Sequence, residues 1–86
     1  MASYKLLIKP SAAKELAALP RKDRSRIVAK VMGLAESPRP PGSEKLSGEE
    51  KYRLRQGDYR VLYSIQDSSA TVTIVKIGHR REVYRP

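Results

Sequence analysis

The chain contains no cysteine, so neither disulfides nor a cysteine-based zinc site can hold it together. It has one histidine, His79, and scattered carboxylates, which together form no convincing metal-ligand cluster. No apolar run is long enough to span a bilayer, and no signal peptide opens the sequence. The simplest expectation is a soluble cytoplasmic protein with no membrane partner. Acidic residues are scarce: nine Asp and Glu stand against eighteen Lys and Arg, a formal charge of +9 over 86 residues. That excess favours an acidic partner, either nucleic acid or an acidic protein. It is spread over both halves, so charge by itself does not locate a site.

What the sequence does have is patterning. Its length suits one domain, residues 1–86, with one modest core. Residues 4–8 read as a short apolar strand. Ser11 is the expected N-cap of a first helix whose apolar stripe is Ala12, Leu16 and Leu19. Glu15 sits one place too late for a capping box. Pro20 ends that helix and opens a second, expected from about Arg21 to Glu36. Its buried stripe is Ile27, Val31, Leu34 and Ala35, with Val28 at the edge. Residues 37–48 are rich in proline, glycine and serine and read as a surface loop.

Three strands follow: Lys51–Gln56, Tyr59–Gln66 and Ala70–Ile77. Gly57-Asp58 and residues 67–69 are the turns between them, so the strands form an antiparallel meander. Residues two apart on a strand share a face. Lys51, Arg53 and Arg55 therefore project from one face, and Tyr52 and Leu54 from the other. On the next strand Arg60, Leu62 and Ser64 share one face. Tyr59, Val61, Tyr63 and Ile65 share the other and read as core. The order β-α-α-β-β-β predicts a two-layer α+β domain, an antiparallel sheet covered on one face by two N-terminal helices. A sheet face bearing several guanidinium groups suits a phosphate-rich ligand such as RNA.

Four segments in this order carry a resemblance: Lys45-Leu46-Ser47-Gly48, Tyr52-Arg53-Leu54-Arg55, Gly57-Asp58-Tyr59-Arg60-Val61-Leu62-Tyr63, and Gly78-His79-Arg80-Arg81-Glu82-Val83-Tyr84. Together they resemble the RelE/ParE superfamily of bacterial toxins from type II toxin–antitoxin systems, and most the RelE branch. That branch consists of ribosome-dependent endonucleases that cut mRNA in the decoding site. The resemblance implies a RelE-like microbial RNase fold. It also implies a catalytic set at Arg53, Arg55, Arg60, Arg80 and Tyr84, with Lys45, Lys51 and Arg81 as further RNA contacts.

The implied chemistry is attack by a ribose 2′-OH on the adjacent phosphate, with no cofactor. The implied partners are a cognate antitoxin, the ribosome with its mRNA, and operator DNA through the antitoxin complex. Lysines are common in the branch where this chain has Arg53 and Arg55. Arginine does not surrender its proton, so proton transfer falls elsewhere. His79 enters as a candidate because histidine as a residue type titrates near neutrality. The ParE branch, which poisons DNA gyrase, and a non-catalytic binding homologue are the alternatives.

Overall fold

In the computed structural model, residues 3–46 and 51–79 are described. They form β1 (Lys5–Ile8), α1 (Pro10–Ala17), α2 (Arg21–Gly33), β2 (Glu44–Lys45), β3 (Lys51–Gln56), β4 (Tyr59–Gln66), a 3₁₀ turn (Asp67–Ser69) and β5 (Thr71–His79). The expected α+β order holds, with one short strand added. The sheet has five strands in the order β1-β5-β4-β3-β2. It is mixed rather than wholly antiparallel, because β1 runs parallel to β5 with Ile8 beside Ile74.

Local sequence explains most element ends. Pro10 takes the first position of α1, where its missing N–H is no loss, and Lys9 is the N-cap. Ser11 thus lies inside the first turn and caps nothing by side chain, which corrects the expected cap. Pro20 precedes α2 as its N-cap. Regular helix stops at Gly33, short of the expected Glu36. There the Leu34, Ala35 and Glu36 N–H groups donate to the carbonyls of Val31, Met32 and Gly33, the tighter three-residue spacing of a closing turn. Gly57, at φ +60°, opens the two-residue turn between β3 and β4. β5 extends two residues beyond its expected end, because β4 continues to pair with Gly78 and His79. β2 was read as loop; two residues are too few to show an alternation.

The helices pack on one face of the sheet. Ala12, Ile27 and Leu34 meet Tyr52, Leu54, Val61, Tyr63, Ile65, Val72, Ile74 and Ile77 in a single buried cluster. Full burial of one such aliphatic side chain contributes roughly 1.5–3 kcal/mol. Tyr63 is fully buried and Tyr52 nearly so, with their rings stacked 5.8 Å apart. Both tyrosines are therefore core, as their face predicts. No helix among the described residues is long and apolar enough to cross a membrane.

Candidate nucleic-acid interface

Strand register decides which basic residues share a face. Arg55 lies directly opposite Arg60, Arg60 lies opposite Gly78, and Arg53 lies opposite Leu62. Lys51 pairs with Ser64. Lys51, Arg53, Arg55 and Arg60 therefore gather on the sheet face turned away from the helices. Gly78, itself buried, adds no side chain there and lies beside Arg60.

The arginines differ in setting. Arg55 is exposed. Arg60 is only 4% exposed, an unusual burial for a guanidinium, and its Nη1 donates to the Tyr59 carbonyl at 3.4 Å. Arg53 is paired with the Glu44 carboxylate, Nη2 to Oε2 at 2.6 Å. Glu44 comes from β2, directly opposite Arg53. Its neighbour Lys45 lies opposite Tyr52 and so belongs to the other face. The expected RNA contact at Lys45 is not brought together with the arginines, whereas an unforeseen carboxylate is. The two-residue strand that sets this register left no sequence signal.

His79 is also separated from the arginines. It lies opposite Tyr59, on the helix side, and meets the Tyr59 ring edge-on at 6.0 Å. The two rings border a cavity of about 410 Å³ with Glu15, Leu19, Pro20 and Ile77. Arg80, Arg81 and Tyr84 lie outside the described residues.

A second polar group holds the proline-rich loop against the far end of the sheet. Arg39 donates from Nη2 to Asp67 Oδ2 at 2.9 Å and from Nε to the Tyr52 hydroxyl at 3.0 Å. Its guanidinium also lies 5.2 Å from the centre of the Tyr52 ring. The Tyr4 hydroxyl donates to Asp67 Oδ1 at 2.7 Å, and the Tyr63 hydroxyl donates to the Pro38 carbonyl at 2.8 Å. The Arg39 and Tyr4 hydrogen bonds hold the Asp67 carboxyl below its usual range. Burial pushes the Tyr63 phenol up. This cluster, invisible in a loop read only for its prolines, fixes the chain that leads into β2 and so into Glu44.

Comparison with known proteins agrees with this architecture. A family model for the ParE toxin of the type II toxin–antitoxin system parDE matches residues 6–84. Toxin RelE of Mycobacterium tuberculosis is 36% identical over 84 residues, covering 95% of this chain and 87% of that protein. Among solved structures, the toxin–antitoxin complex RelBE2 of M. tuberculosis matches at TM-score 0.81 and 30% identity, over 93% of this chain and 94% of the other. The archaeal RelE–RelB complex of Pyrococcus horikoshii matches at TM-score 0.82 and 31% identity, over 91% and 96%. With that fold, that register of basic strands and these matches along nearly its whole length, the chain belongs to the RelE/ParE superfamily of type II toxins, most similar to the RelE branch.

Proposed function

We propose that this protein is a ribosome-dependent mRNA endonuclease, the toxin of a type II pair. One observation carries the reading: Arg55 and Arg60 face each other across neighbouring strands, with Arg53 on the same face. Like charges held directly opposite cost stability, by up to about 1 kcal/mol. A shared anion offsets that cost, and a phosphate bridging two guanidiniums does so with paired hydrogen bonds.

The reaction is attack of a 2′-oxygen on the adjacent phosphorus, with departure of the 5′-oxygen. It leaves a 2′,3′-cyclic phosphate and a 5′-hydroxyl. Arg60 and Arg80 hold the phosphate as charge builds on it. Arg53 and Arg55 neutralise the backbone and the leaving group. None of these arginines moves a proton, so the departing 5′-oxygen takes its proton from water. Tyr84 is the residue of this set whose phenol, once deprotonated, takes the 2′-OH proton, and its ring also suits stacking on a base. Lys51 and Arg81 add contacts to the RNA backbone. His79, on the other side of the sheet, stands outside this group.

Two of the structural relatives are toxin–antitoxin complexes. That likeness supports a cognate antitoxin as partner; in this reading the antitoxin is acidic where it covers the arginines and holds the toxin inactive, and the complex binds operator DNA. The chain acts in the cytoplasm, where its substrate is.

The test is to map mRNA ends on translating ribosomes given purified protein, with Arg60→Ala and Tyr84→Ala as controls. Discrete cuts in the decoding site, lost in both variants, are expected. Intact mRNA from a protein that still arrests growth overturns the reading. The match to the ParE family model over residues 6–84 then favours gyrase poisoning, seen as trapped DNA breaks.

A further inference from the structure

β5 outruns its neighbour. β1 pairs with it only as far as Ile8 beside Ile74, yet β5 continues to His79. Beyond Ile74 no strand among the described residues pairs with the outer edge of β5. The chain leaves β1 through Lys9, whose N–H still donates to the Ile74 carbonyl at 3.0 Å, and then turns into α1. α1 carries Glu15 to the open edge. There Oε1 accepts the Ile77 N–H at 3.0 Å, and Oε2 accepts the Lys76 ammonium at 2.9 Å. One carboxylate thus stands in for the missing strand. Glu15 is partly shielded, with 31% of its side chain exposed.

Position makes this contact consequential. Ile77 precedes Gly78, the residue opposite Arg60, and Gly78-His79 leads directly into Arg80. On its inner side this segment is held by β4, with Ile77 beside Val61 and Gly78 beside Arg60. On its outer side Glu15 is the hydrogen-bond partner of the Ile77 amide.

We propose that Glu15 is a positioning residue. By clamping the outer edge of β5 it fixes the Gly78 backbone against Arg60, and so the rung from which Arg60 and Arg55 meet the phosphate. This rests on the nuclease reading for its effect on cleavage, but not for the clamp itself.

Two variants separate the parts. Glu15→Gln keeps an oxygen for the Ile77 N–H and loses only the charge toward Lys76. Glu15→Ala loses both. Two quantities are measured in each: amide exchange along β5, and single-turnover cleavage of mRNA on ribosomes at saturating protein.

In Glu15→Ala, exchange should quicken at Ile77, Gly78 and His79 while Val72 and Ile74 keep wild-type protection. Cleavage should slow by about tenfold or more, the scale expected when reacting groups lose alignment, with ribosome affinity unchanged. Glu15→Gln should restore most of both.

Unchanged exchange at Ile77 in Glu15→Ala overturns the clamp, whatever happens to RNA. Faster exchange with wild-type cleavage overturns the positioning role. Loss of protection throughout the sheet, in the Gln variant as well, reduces Glu15 to general stability and also overturns it. Wild-type protein that cuts no mRNA, with the local exchange change still seen in Glu15→Ala, sinks the nuclease reading and leaves the clamp standing.

Discussion

Arg55 and Arg60 stand directly opposite each other across the β3–β4 hairpin, on the face away from the helices. Two cations at one rung of a ladder oppose folding and favour an anion, so stability and activity should respond in opposite senses. Arg55→Ala is expected to leave folding stability unchanged or raise it by a few tenths of a kcal/mol, on the order of cross-strand pair effects. Cleavage of ribosome-bound mRNA should fall about a hundredfold, the scale of one lost charge-stabilising group. Thermal unfolding and single-turnover rates, measured on the same preparation, check both.

Arg60 differs because it is buried. Arg60→Ala removes both the charge and the packing of its stem, so a destabilisation of about 1 kcal/mol should accompany the loss of cleavage. Arg60→Lys keeps the charge but not the fork, and should recover stability better than activity. Equal recovery of both would show that paired hydrogen bonding by Arg60 is unimportant.

Glu44 holds Arg53 at 2.6 Å. An RNA phosphate that uses Arg53 must displace this carboxylate. Exposed pairs of this kind contribute about 0.2–1 kcal/mol, so Glu44→Gln should tighten binding of a short RNA by up to about fivefold. The gain should disappear when Arg53 is already alanine. Fluorescence anisotropy on the four proteins of that cycle measures the coupling; a gain that persists without Arg53 would trace to net charge alone.

His79 and Arg60 lie on opposite faces of the sheet. His79→Gln should therefore hold its cleavage rate within about threefold, far from the hundred- to ten-thousandfold loss typical of a missing general acid or base. A larger loss would return His79 to the reacting group.

Asp67 governs an acid-sensitive contact. Hydrogen bonds from Arg39 and Tyr4 depress its folded-state pKa. The carboxylate's contribution is therefore present above the unfolded carboxylate value of about 3.9 and is lost as pH falls through the lower folded value. Melting temperatures from pH 6 to pH 2 should show this limb in the wild type. Asp67→Asn should start lower and fall less steeply.

The outline of this protein was legible in its sequence because burial follows period. The alternation through Tyr52, Leu54, Val61, Tyr63 and Ile65 named the core face of two strands. It thereby put Arg53, Arg55 and Arg60 on the reverse. Pro20 marked the start of the second helix, since proline fixes φ and needs no N–H partner, whereas the first was expected to be capped by Ser11 and begins at Pro10 instead. Such signals are local, and each needs only a few neighbouring residues to be read.

What the sequence by itself determined, then, is which side chains face the helices and which bear the charge. Tertiary structure alone decided which of them meet. Pairing brought Glu44 rather than Lys45 beside Arg53, and set Arg55 opposite Arg60. The early end of β1 left an edge that Glu15, more than sixty residues away in the chain, closes at Ile77. The physical reason is the same in each case. Periodicity fixes the direction of a side chain from its own strand or helix. Register and strand order fix its neighbours, and these come from contacts across the whole chain, where one residue of slip exchanges every partner and face.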